Sequence, residues 1–179
     1  MSSLTNQPDN LNYLSPLGFR FLLQRAPNVM YFCQAAQLPT VSLSDLDMET
    51  PLAKIPFVGD RVLYEPLSIR FKIDEDLKNY LELFNWMEGL GHPEDLTQYK
   101  NETDDNRYGA RMRTQPQWSS DATLMILTSN HNANIMVTFE DMFPISLSPL
   151  QFDTTLADIE HLEADALFKY RRFTIASLN

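Results

Sequence analysis

The chain has 179 residues, 24 acidic against 14 basic side chains, a formal net charge of -10 and a single cysteine. Its length suits one domain whose core needs no disulfide, and the acidic balance argues against a general binder of nucleic acid or of anionic membrane. A conduit that must not hold DNA stays compatible, because an acidic wall repels phosphate.

Residues 1–12 are polar around Pro8 and read as a flexible arm of the kind a neighbour orders. The remainder, 13–179, reads as one domain. Phe19–Leu23 is expected to be a first strand, Ala26-Pro27-Asn28 a turn and Val29–Ala35 a second strand, the two strands forming a hairpin. Cys33 lies in the apolar run Tyr31-Phe32-Cys33 and reads as a small buried hydrophobe rather than a reactive thiol. Pro39 ends the second strand by removing a ladder donor. From Val41 to Pro51, Val41 and Leu43 alternate only partly with the acids Asp45, Asp47 and Glu49, a pattern that fits an edge strand or a projecting loop.

The clearest signals lie between Lys54 and Gly91. Gly59-Asp60 reads as a turn approached through Pro56. Leu67, Ile69, Phe71 and Ile73 alternate with Ser68, Arg70 and Lys72, the period of a strand with one buried face. The period then changes: Leu77, Tyr80, Leu81, Phe84 and Met87 fall on one stripe of a helix, making Leu81 a core position. Asp74 is expected to cap that helix, with Glu75 and Asp76 at its positive end and Gly89 and Gly91 offering left-handed stops before Pro93.

Residues 92–120 have no periodicity and read as a long inserted loop, with Glu102, Asp104 and Asp105 followed by Arg107, Arg111 and Arg113. Those arginines are candidates for pairing with acids of a neighbouring subunit. Ala122–Leu127 and Ile135–Phe139 then form a hairpin through Ser129–Asn134. Glu140–Leu156 fits a short strand and a crossover, and Ala164–Ala176 one long strand, touching its own core on one side and a neighbour or lumen on the other.

Catalytic chemistry is missing from the pattern. The five glycines are not spaced to cradle phosphate, and no Gly-x-Ser-x-Gly occurs. The three histidines are scattered; His161, among Asp158, Glu160 and Glu163, is read as part of a solvated acidic turn. No cofactor, metal, catalytic residue or small-molecule substrate is expected. The amino terminus lacks the layout of a signal peptide and no apolar run spans a membrane, so the expectation is a soluble product, kept in the cell or in a particle assembled there.

An ordered set of features carries a resemblance: the strand Phe19-Arg20-Phe21, the turn Gln34–Pro39, Ile55-Pro56, Gly59-Asp60, and a strand into Asp74-Glu75 followed by the aromatic-rich helix Tyr80–Trp86. Over roughly residues 17–90 the chain resembles the tail tube protein family of contractile-tailed, T4-like bacteriophages. The resemblance implies a mainly β fold, an antiparallel β-sandwich or barrel-like subunit with one flanking α-helix. It further implies hexameric rings stacked into a hollow tube in the virion tail, assembled in the host cytoplasm. Sheath and baseplate proteins are the implied partners, and genomic DNA passes through the lumen. The arm and the insertion are departures that suit an alternative role, a baseplate tube initiator or a tail terminator of the same fold. Gly59, Asp60, Asp74, Glu75, Arg107, Arg111 and Arg113 are the assembly candidates.

Overall fold

The computed structural model describes residues 12–50, 53–91, 119–155 and 161–178. Among these residues nine strands and two helices follow in the order β1 (Phe19–Leu23), α1 (Pro27–Tyr31), β2 (Cys33–Gln37), β3 (Val41–Glu49), β4 (Lys54–Tyr64), β5 (Leu67–Lys72), α2 (Lys78–Gly91), β6 (Ser120–Leu127), β7 (Ala133–Leu147), β8 (Glu163–Lys169) and β9 (Arg172–Ser177). All strand pairs are antiparallel. The fold is mainly β, as expected, with the short α1 in addition to the flanking helix.

One strand organises the sheets. The first part of β7 pairs with β6 on one side and β9 on the other, giving a first sheet in the order β1-β6-β7-β9. Its last part pairs with β8, giving a second sheet in the order β2-β5-β8-β7. Between the two parts Asp141 has φ 54°, a left-handed conformation in which the chain turns from one sheet into the other. The chain breaks at the same level between β8 and β9, so the long strand expected over 164–176 is two strands separated by Tyr170 and Arg171. A single strand cannot follow both halves of a kinked partner.

The kink is held by charge. Arg172 donates from Nε and Nη2 to the two carboxylate oxygens of Glu140, at 2.8 and 2.7 Å. Arg171 reaches Glu140 at 2.6 Å and Asp141 at 2.9 Å, and the Asp141 N–H donates to the Asp121 carboxylate at 3.1 Å. Bidentate arginine–carboxylate geometry fixes direction as well as distance.

Both sheets face one core. Phe21, Leu124, Val137 and Phe139 come from the first sheet, Leu67, Ile69, Phe71, Ala166 and Phe168 from the second. The alternation read in Leu67–Phe71 is therefore realised as β5, with those three side chains fully buried. The helix differs from expectation. Its buried face is Asn79, Leu83 and Trp86, with Gly89, while Leu81 and Phe84 remain 46% and 47% exposed on the opposite side. The helix is apolar on two faces; of the expected stripe Tyr80 packs against the core, whereas Leu81 and Phe84 do not.

Asp74 does not cap α2, because Leu77, with φ 56°, stands between them. Asn79 does the joining instead: wholly buried, it donates from Nδ2 to the Lys72 carbonyl at 2.7 Å and accepts from the Asp74 N–H at 3.4 Å. Gly89 lies inside the helix, and Gly91 is its last residue without taking the left-handed conformation. Trp86 packs against Phe168, with the Arg25 guanidinium 4.9 Å from its ring centre.

The expected strand from Val29 begins as helix α1, with Pro27 in its first turn, where its missing N–H costs nothing. Consequently β1 and β2 form no hairpin; β1 pairs with β6 and β2 with β5. Cys33 is half-buried at a bulge of β2 and its thiol is pushed up to about 11 by burial. The hairpin β6–β7 stands as expected, with His131 rather than an asparagine taking the left-handed position.

Three outcomes check this packing by urea denaturation of the unassembled protein. Leu83→Ala should lose about 2–5 kcal/mol, whereas Leu81→Asp should change stability by no more than about 0.5 kcal/mol. Asp141→Val places a β-branched residue at positive φ and should cost about 1–2 kcal/mol from backbone strain alone. The hydrogen bond from Arg172, with Arg171 adding to it, holds the Glu140 carboxyl below its ordinary range. Its stabilising contribution is therefore full above the unfolded carboxylate value and fades as pH falls through the lower folded one, so Glu140→Gln should flatten the acid limb of a stability–pH profile.

Candidate assembly surface

β3 and β4 form a two-stranded ribbon that belongs to neither sheet. This resolves the two readings of Val41–Pro51: the segment is a strand, and it projects. In the distal half Leu46 pairs with Phe57 and Met48 with Ile55, which puts four apolar side chains on one face; Asp45, Asp47 and Glu49 occupy the other with Val58, Pro56 and Lys54. That apolar face is bare. Leu46 is 68% exposed, and Met48, Ile55 and Phe57 about half exposed. A lone two-stranded ribbon is marginal in water, and a bare apolar face on one marks a contact surface.

Gly59 and Asp60 do not form the expected turn. They lie within β4 at a bulge, where Ser44 faces the segment 59–61 and the register shifts between Leu43 and Asp45. Gly59 is the one buried residue of β4, and a Cβ added there would sit 2.4 Å from the Ser44 carbonyl oxygen. The Arg61 N–H donates to Ser44 Oγ at 3.2 Å across the same gap. A bulge bends and twists a ribbon, so Gly59 permits the crossing that sets the direction of the distal half. Asp60 is exposed beside it.

An aromatic group roots the ribbon. Tyr64, at the end of β4, meets Tyr170 and Phe173 at ring-centre distances of 6.0 and 5.5 Å, and Tyr170 meets Phe139 at 5.0 Å. The Tyr170 hydroxyl donates to the Glu65 carbonyl at 2.8 Å and is pushed up to about 12, chiefly by burial. The ribbon thus grows from the corner where the first sheet meets the second.

Among the described residues the first sheet ends on two outer edges. β1 and β9 are its outer strands, and four strands in antiparallel succession make those edges run in opposite directions. Along β1 lie two shallow clefts of about 460 and 470 Å³, lined by Leu22 and Met30 in common, with Thr123 and Pro27 in one and Arg20 and Tyr31 in the other. Unpaired strand edges invite a further strand.

Of the remaining candidates, Asp74 and Glu75 lie in the turn before α2, away from ribbon and edges in the chain order, and Arg107, Arg111 and Arg113 fall outside the described residues, as do Asp158 and Glu160. No group of histidine, cysteine and carboxylate side chains among the described residues could hold a metal. Sequence reasoning missed the ribbon face and the edges. Two signals pointed to the ribbon: the apolar phase changes from Val41 and Leu43 to Leu46 and Met48, which requires a bulge, and Pro56 inside a strand requires an edge.

No curated protein matches the chain. Among solved structures, it aligns with a chain of the extracellular contractile injection system PVC sheath–tube complex in the extended state at 12% identity, covering 99% of both chains with a TM-score of 0.56. A chain from the anti-feeding prophage tube-terminating cap gives 11% identity, 99% of both chains and 0.56. One from the anti-feeding prophage baseplate gives 10% identity, 88% of this chain, 90% of that chain and 0.51. These likenesses are of fold. Residues 8–176 match the profile of the phage tail tube protein family, and the chain therefore belongs to that family, a structural rather than an enzymatic one.

Proposed function

We propose that the chain builds a hollow tube from hexameric rings, in which the free edge of β1 in one copy pairs with the free edge of β9 in the next. The observation that carries this reading is the strand count of the first sheet. With β1, β6, β7 and β9 alternating in direction, a neighbour's β9 meets β1 antiparallel, and the ladder continues around a ring without a break. Closure removes the edges. The clefts along β1 offer room beside the strand for that neighbour.

The bare face of Leu46, Met48, Ile55 and Phe57 is then covered by another copy, within the ring or in the ring stacked on it. The α2 face bearing Leu81 and Phe84 looks away from the core, where a sheath would lie. Sheath and baseplate proteins are the further partners, and genomic DNA traverses the lumen of a tail assembled in the host cytoplasm. Matches to chains from a terminating cap and from a baseplate favour a second reading, a ring that starts or ends the tube instead of filling it.

Electron microscopy of the purified protein distinguishes these readings. Long tubes support the first and isolated rings the second, and a monomer at high concentration would refute both. Phe57→Asp should leave the melting temperature of the unassembled protein unchanged and abolish tubes; tubes of normal length from that variant would remove the ribbon from the assembly contact.

A further inference from the structure

Which charges line the channel follows from the strand register, and this step rests on the ring reading above. Phe21, Leu124, Val137 and Ile175 stand in one row across the first sheet, of which the first three are buried in the core. Side chains one position away point to the other face. That face carries the row Leu22, Thr123, Thr138 and Thr174 and the row Arg20, Met125, Met136 and Ala176. Four strands from each of six copies at ~4.8 Å spacing give a barrel roughly 37 Å across, too narrow to hold six domain bodies. The core side must lie outside, and the threonine and methionine rows line the lumen.

The wall so defined has no excess of acid. Charged residues of the four strands and their corner are Arg20, Arg171 and Arg172 against Asp121, Glu140 and Asp141. They cancel in number, and most are joined: Glu140 is gripped by both Arg171 and Arg172, Asp141 by Arg171. The acids that give the chain its net charge of -10 belong elsewhere, among them Asp45, Asp47, Glu49 and Asp60 on the ribbon and Asp74, Glu75 and Asp76 before α2. Charges farther off than the Debye length of about 8 Å are largely screened from a passenger in the channel.

We infer that this channel is non-adhesive because it is neutral, not because it is acidic, and that it passes polymers of either sign. An acidic wall repels DNA but holds basic stretches of a polypeptide. A wall of hydroxyls, thioethers and cancelled ion pairs holds neither, so a polypeptide of mixed charge moves along it as readily as nucleic acid.

Thiol reagents of opposite charge test the inference in assembled tubes of Thr138→Cys, with Thr174→Cys as a second variant. The native Cys33 is half-buried, and tubes without the introduced cysteine give its background rate. For small cationic and anionic methanethiosulfonates, the ratio of rates in the tube should lie within about twofold of the ratio in the dissociated subunit, whereas an acidic channel would favour the cationic reagent by about tenfold or more. The tenfold result overturns the neutral wall. Adding Thr174→Asp to Thr138→Cys should shift the ratio toward the cationic reagent, which shows that the measurement senses the wall. A bulky polymer maleimide reports separately on the ring reading: it should label dissociated subunits and spare tubes, and equal labelling of both would show that this face does not line the lumen.

Discussion

The kink of β7 at Asp141 is the constraint on which the architecture depends. A strand of fifteen residues can serve two sheets only if it changes direction between them, and the left-handed backbone of Asp141 makes that change in one residue. Aspartate tolerates this conformation better than most side chains, and here its carboxylate also meets Arg171 while its N–H meets Asp121. From this follow the break between β8 and β9, the facing of the two sheets across one core, and the two free edges of the first sheet. The ion pairs are individually exposed and modest. Their collective effect is directional, because Glu140 is shared by its cross-strand neighbour Arg172 on β9 and by Arg171 at the break between β8 and β9.

The same corner supports the ribbon. Phe139, one residue before Glu140, packs on Tyr170 and Phe173, and these hold Tyr64 at the foot of β4. The ribbon's own residues contribute little to the core, since β4 buries only Gly59. Its stability as a separate chain segment would be poor. The physical logic is that of a part completed by assembly: the root is fixed within the subunit, and the apolar face is left for a neighbour.

Acidic composition and local charge are different quantities in this molecule. The net charge governs solubility and long-range repulsion between copies, whereas the four strands of the first sheet and their corner, one face of which is turned away from the core, carry three arginines against three carboxylates. Only the register of four strands shows which side chains share that face.

What the sequence by itself determined were the elements whose signal is local. Strict alternation over Leu67–Phe71 specified β5 and its buried face, the asparagine-rich turn specified the β6–β7 hairpin, and the absence of phosphate loops and nucleophile motifs set aside catalysis. The ordered set of motifs over residues 17–90 pointed to the family that the profile match then showed. Tertiary structure decided what depends on partners distant in the chain. Apolar residues line two faces of α2, and only contact with Phe168 and its neighbours selects Leu83 and Trp86 over Leu81 and Phe84. The tail of the expected second strand became β2, but its start became α1, because Pro27 favours a first helical turn and Asn28 is held by Glu82, 54 residues away. Gly59 resembled a turn in sequence and proved to be the crossing point of a bulged ribbon, since a glycine signals backbone proximity without saying what approaches. The kink at Asp141 and the free edges of β1 and β9 have no local signature at all, because each is defined by which strands pair and which are left unpaired.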